Sequence, residues 1–159
     1  MMAEANKPLV LETFAPKQIR MFEPFTVENR HGQKFQVVCQ RHNDVCWRLL
    51  IYSPTSQYAG DLLFKPKDAI TVELIDFHVY REFAGNGIGT ELINKFQDLL
   101  REQGFLSVIG ICKSYDRPLS EKERLAKWYT SLGFTLFLEN LEGEPGYIGR
   151  LAKNLKERH

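Results

Sequence analysis

The spacing of apolar residues along the chain changes period sharply between Val79 and Ile88. From Ala69 to Val79 the run AITVELIDFHV alternates as a β-strand does. Further on, Ile88, Leu92, Phe96, Leu99 and Leu100 recur at three- and four-residue steps, the single stripe of a helix expected over Thr90 to Gln103. Gly104 follows as the left-handed residue that ends such helices. Between the two patterns lies Ala84-Gly85-Asn86-Gly87-Ile88-Gly89. The predicted unit is therefore strand, glycine loop, helix.

The same reading extends to both sides. Gln33 to Gln40 and Val45 to Ser53 alternate around Arg41-His42-Asn43-Asp44 and predict a β-hairpin. Tyr58 to Lys65 predicts a third strand, and Pro66-Lys67-Asp68 the turn that follows it. After Gly104, Phe105 to Cys112 predicts a buried strand, parallel to the one before because a helix carries the crossover. Ser120 with Glu123 has the spacing of a capping box and starts a second helix running to about Leu132, closed by Gly133. Phe134 to Leu138, a turn over 139–146, and Tyr147 to Ala152 form a final hairpin. Near the start, residues 1–8 read as a flexible lead-in, Leu9 to Phe14 as a first strand and Lys17 to Phe22 as a short helix. From Ala15 to Gly32 the pattern is weak, with Pro16 and Pro24 interrupting it.

Length and charge narrow the classes. The 159 residues suit one domain with a core of its own. Twenty-one basic residues against twenty acidic ones give no broad attraction to nucleic acid or to an anionic membrane. No apolar run reaches the roughly eighteen residues of a membrane span. The three cysteines, Cys39, Cys46 and Cys112, are odd in number and follow no secretory leader, so they read as reduced core thiols of a cytoplasmic protein. Cys39, His42 and Cys46 match no zinc spacing, and no metal site is expected.

The glycine loop carries the candidate chemistry. A helix start offers unpaired backbone N–H groups and about half a positive charge, and glycines let a phosphate come close to the backbone. A bare connection packed by glycines is the alternative. The dinucleotide pattern fails because Thr90 stands where the third glycine should be, and no Gly-Lys-Ser/Thr of a P-loop occurs.

The segment Val79-Tyr80-Arg81-Glu82-Phe83-Ala84-Gly85-Asn86-Gly87-Ile88-Gly89 resembles the acetyl-CoA motif of the GNAT N-acetyltransferases, Arg/Gln-x-x-Gly-x-Gly/Ala after a strand. Gly87 and Gly89 take the glycine positions, and Ala84 replaces the usual Arg or Gln. A second resemblance lies in Ala126-Lys127-Trp128-Tyr129-Thr130-Ser131-Leu132-Gly133-Phe134, similar to the family's Ala-x-x-Tyr-x-x-x-Gly-Phe element. The predicted order of strands, helix, strand, helix and hairpin extends the resemblance to roughly residues 33–152. The resemblance implies an α/β (α+β) fold with a mixed, mostly antiparallel central sheet, a parallel strand pair around the acetyl-CoA site, and flanking helices.

It also implies roles. Phe77, His78, Val79, Ala84, Gly85, Asn86, Gly87, Ile88, Gly89 and Thr90 would bind acetyl-CoA, the acetyl donor. Tyr129 would protonate the departing thiolate, although Leu125, Trp128, Tyr129 and Leu132 also share a helical stripe that would make Tyr129 a core residue. Glu73 stands where several members keep a base, and strict alternation would group it with Ile75, Phe77 and Val79; a salt-bridged carboxylate is the alternative. Asp76 and His78 share the opposite face and form a second candidate pair, or a structural hydrogen bond. Tyr115 and Asp116 are expected near the acceptor entrance. The expected activity is acetyl transfer to a primary amine, small or proteinaceous, by direct attack in a ternary complex. A catalytically inactive, GNAT-shaped CoA-binding or regulatory protein acting through a partner is the alternative. A homodimer is compatible with this reading, and the oligomeric state stays open.

Overall fold

The computed structural model describes residues 22–113, 119–138 and 147–155. The elements expected over 1–14 and from Lys17, the 139–146 turn, and the loop with Tyr115 and Asp116 lie outside these residues, apart from Phe22. The strands are β1 (Phe25–Glu28), β2 (Lys34–Arg41), β3 (Trp47–Tyr52), β4 (Tyr58–Pro66), β5 (Thr71–Val79), β6 (Ser107–Lys113), β7 (Thr135–Leu138) and β8 (Tyr147–Asn154). The helices are α1 (Ile88–Glu102) and α2 (Leu119–Ser131). One eight-stranded sheet runs in the order β1-β2-β3-β4-β5-β6-β8-β7. Only β5 and β6 pair in parallel; every other neighbouring pair is antiparallel.

The 33–53 hairpin, the β5–α1–β6 crossover and the last pair of strands match the periodicity. Strand β1 was not expected, since four residues after Pro24 are too few to show alternation. Its hairpin is held by one side chain: Asn29 Oδ1 accepts the amides of His31 and Gln33, and Asn29 Nδ2 donates to Gln33 Oε1 at 2.8 Å. Helix α2 begins at Leu119, so Ser120 stands inside it rather than at its cap.

Both helices pack on one face of the sheet. Val37, Leu49, Ile51, Leu62, Phe64, Val72, Leu74, Val108 and Cys112 are buried there together with Leu92, Phe96 and Leu100 of α1. Phe64 meets Phe96 edge-on at 4.9 Å and stacks on Phe22 at 6.0 Å. Each such side chain contributes about 1.5–3 kcal/mol on burial. The three cysteines are buried and free. Lys153 of β8 is buried with them; its ammonium donates to Gln97 Oε1 of α1 and to the carbonyl of Leu132 just past α2, at 2.8 Å. That one side chain fastens both helices to the C-terminal strand.

Strand β5 departs from strict alternation. Glu73 pairs with Lys65 and Leu74 with Phe64, but Leu63 pairs with Asp76, so Ile75 is an extra residue. Leu74 is buried, Ile75 and Asp76 are exposed, and Phe77 packs on the core. The expected grouping of Glu73 and Ile75 with Phe77 and Val79 is thus corrected. Glu73, Asp76 and His78 share the outer face, away from the helices, while Phe77 and Val79 face inward.

Candidate functional site

The parallel ladder between β5 and β6 ends at Leu74 and Gly110. Beyond it β6 stays with β8 as far as Lys113, and β5 stays with β4 as far as Val79. A wedge-shaped gap therefore opens in the sheet. Gly110 permits the close approach at its apex, because a Cβ there would lie 2.9 Å from the carbonyl oxygen of Leu74. The Tyr80 amide donates to the Ala59 carbonyl oxygen of β4 at 2.8 Å. By strand alternation the peptide groups of Phe77 and Val79 turn the other way, into the gap, where no strand meets them.

The glycine loop stands at the end of β5. Gly85 and Gly87 adopt left-handed φ values of 82° and 86°, and Gly87 caps α1 without any side-chain hydrogen bond. The first amides of α1 therefore remain for a ligand. A Cβ at Gly87 would meet no atom of the protein closer than the Arg30 nitrogen at 3.8 Å, so the constraint the fold itself places there is the left-handed backbone.

An aromatic slot continues from the loop. Trp128 stacks on Phe77 with centroids 6.0 Å apart, and its indole N–H donates to Thr90 Oγ1 at 2.9 Å. Gly89 lies beneath, where a Cβ would stand 3.4 Å from the indole and 3.6 Å from the Phe77 ring. Tyr129 follows, edge-on to Trp128 at 4.8 Å and to Phe134 at 5.6 Å, and only 7 % exposed. Burial, followed by the fields of Cys112 and Asp76, pushes the Tyr129 hydroxyl well above the usual tyrosine range. Those two neighbours belong to the two sides of the gap, so Tyr129 lies over it. Cys112 is wholly buried, and burial pushes its thiol up to about 11.

These pieces line one cavity of about 670 Å³, bounded by Phe77, His78, Val79, the glycine loop, Thr90, Leu125, Trp128 and Tyr129. Of the expected ligand-binding residues, all but Asn86 line it. Asn86 instead gives its carbonyl oxygen to the amide of Arg30 at 2.6 Å. Glu73 lies elsewhere, on the outer face 4.0 Å from Lys65, beside a second cavity of about 400 Å³ with Ile109, Ile111, Phe137 and Arg150. The structure brings Tyr129 near Asp76, not near Glu73. It also adds lining residues that no sequence pattern singled out: Arg30, Arg81 and Arg124.

A glycine loop at a helix start, feeding an aromatic slot above a split sheet, is the arrangement of an acyltransferase domain. The chain belongs to the GNAT family: residues 15–134 match the family described as Acetyltransferase (GNAT) family. No curated protein matches the chain in sequence. Solved structures share its fold. The GNAT domain of S. lividans PAT superposes with a TM-score of 0.62 at 14 % identity, over 82 % of this chain and 96 % of that one. Spermidine/spermine N-acetyltransferase SpeG from Vibrio cholerae gives 0.56 at 15 % identity, over 72 % and 68 %. The PaiA N-acetyltransferase from Thermoplasma acidophilum, solved with coenzyme A, gives 0.52 at 17 % identity, over 69 % and 61 %.

Proposed function

We propose that this chain is an acetyl-CoA-dependent N-acetyltransferase that acetylates a primary amine by direct attack in a ternary complex. The observation that carries this reading is the continuity of one cavity from the left-handed Gly87 to Tyr129. It supplies a phosphate cradle at one end and a proton donor at the other. The residues present fit acetyl-CoA: open amides at the start of α1, a narrow aromatic slot for the pantetheine arm, and unpaired peptide groups at Phe77 and Val79.

Bound there, acetyl-CoA supplies an acetyl group activated as a thioester. The amides of Phe77 and Val79 would hydrogen-bond the carbonyl oxygen as charge develops on it. Tyr129 keeps its proton through neutral pH and would donate it to the departing sulfur. The helices fill the inner face, so the amine approaches from the outer face. Asp76 stands there, next to the gap and without an ion-pair partner among the described residues, while Glu73 lies beside the separate cavity near Lys65. We assign the amine's proton to Asp76. As the N–C bond forms and the C–S bond breaks, one proton passes to a carboxylate and another from Tyr129 to sulfur. Direct transfer is favoured over a covalent acetyl-enzyme because the Cys112 thiol, pushed up to about 11, holds its proton at neutral pH.

Calorimetric titration with acetyl-CoA tests the reading. One-to-one binding is expected, followed by thiol release when a panel of amines, including polyamines and peptides, is added. Absence of binding at millimolar acetyl-CoA would reduce the glycine loop to a connection and end the enzyme reading.

A further inference from the structure

The cavity concentrates positive charge that the rest of the chain does not show. The chain's formal charge is +1, yet among the described residues Arg30, Arg81 and Arg124 line this one cavity and no Asp or Glu does. The three come from separate places: the β1–β2 turn, the β5–α1 loop and the first half of α2. None of them makes an ion pair among the described residues.

Arg30 is the one whose position is built. Asn29 is buried, 8 % exposed, and shapes the turn by accepting the amides of His31 and Gln33. Gly32 completes the turn at φ 74°, its amide donating to the Asn29 carbonyl oxygen at 3.1 Å. The amide of Arg30 then donates to Asn86 at 2.6 Å, which docks the turn on the glycine loop. The Arg30 side chain is exposed and free to meet a ligand at the rim. It stands at the Gly87 end of the cavity, opposite the Tyr129 end.

Charge matching identifies the group it meets. The pyrophosphate of coenzyme A suits the loop amides and the helix start. The cofactor carries one more phosphate, a monoester on its ribose with about −1.5 to −2 charge at pH 7. Backbone amides carry no net charge to offset it, whereas a guanidinium pairs with it by two parallel hydrogen bonds. Resting on the proposed use of acetyl-CoA, we infer that Arg30, docked by the β1–β2 turn and supported by Arg81 and Arg124, reads the ribose 3′-phosphate of coenzyme A. It makes the protein discriminate coenzyme A from 3′-dephospho-coenzyme A.

The test is calorimetry of the full chain with coenzyme A and with 3′-dephospho-coenzyme A, for wild type and Arg30→Gln. The wild type is expected to favour coenzyme A by about tenfold or more, the usual scale of a charge-assisted contact. Arg30→Gln should erase most of that preference, weakening coenzyme A by about tenfold and the dephospho form by less than twofold. The substitution keeps the amide that bonds Asn86, so the turn stays docked, and an unchanged melting temperature checks this. Equal wild-type affinity for the two cofactors overturns the inference while leaving the cofactor reading standing. So does an equal loss for both in Arg30→Gln. If the wild type binds neither, the cofactor reading itself falls, and the inference with it.

Discussion

The indole N–H of Trp128 donates to Thr90 Oγ1, and its ring stacks on Phe77. One side chain therefore ties α2 to the first turn of α1 and closes the slot over β5. Trp128→Ala should cost about 3 kcal/mol of stability, the scale of an aromatic truncation in a packed site, and weaken acetyl-CoA binding as well. Trp128→Phe keeps the ring contact and loses only the hydrogen bond, for about 1 kcal/mol. Urea denaturation and calorimetry on both variants check the order.

Tyr129→Phe removes only the hydroxyl from a buried ring. Acetyl-CoA affinity and melting temperature should hardly move, while turnover falls by about 10²–10⁴-fold, the range of a positioned proton donor. Steady-state rates with a responsive amine measure this. Unchanged turnover would return Tyr129 to a packing role.

Gly87→Val should destabilise the protein by about 1–2 kcal/mol, because a β-branched residue is strained at φ 86°. Asn tolerates that region, so Gly87→Asn should fold close to wild type. The comparison separates backbone strain from filled space, and thermal melting reads it.

Alkaline pH should expose the buried thiol. The folded state raises Cys112 from its ordinary 9.0 to about 11. Above pH 9 the unfolded chain releases this proton while the native one holds it. The stabilisation is therefore complete below pH 9 and lost as pH rises toward 11, on the order of 2 kcal/mol. Burial raises Tyr129 in the same direction, and its effect sets in above pH 10. Cys112→Val should flatten the pH 9–11 part of the stability curve, measured by urea denaturation at stepped pH.

Lys153→Ala leaves Gln97 Oε1 and the Leu132 carbonyl without their shared donor inside the core. A loss of about 3 kcal/mol is expected, with Lys153→Met milder because it fills the space. Equilibrium denaturation distinguishes the two.

The parts legible in the sequence are those with a period or a fixed spacing. The stripe from Ile88 to Leu100 and the alternation of β2 to β6 set the fold, and Gly85, Gly87, Gly89 and Tyr129 marked the cavity they now line. Three things had no such signature. Arg30, Arg81 and Arg124 sit in a turn, a loop and an exposed helix face, where an arginine is ordinary; only the fold brings them to one wall. Strand β1 is four residues long and held by the Asn29 turn rather than by its own pattern. The Ile75 bulge is invisible in composition, because an apolar residue continues the apparent alternation, and so Glu73 was assigned the face of Phe77.

That extra residue acts as a phase shifter. The half of β5 before Ile75 and the half after it are out of step by one residue, which turns Phe77 toward the helices and Asp76 and His78 away from them. Removing Ile75 would leave a strand of nearly the same length and hydrophobicity. It would, however, set Leu74 opposite Phe64, Asp76 opposite Leu63 and Phe77 opposite Leu62 without interruption, so that each keeps its present face. The extra residue thus lets a sequence that reads as plain alternation through Ile75 keep both Leu74 and Phe77 toward the helices, at the point where β5 parts from β6.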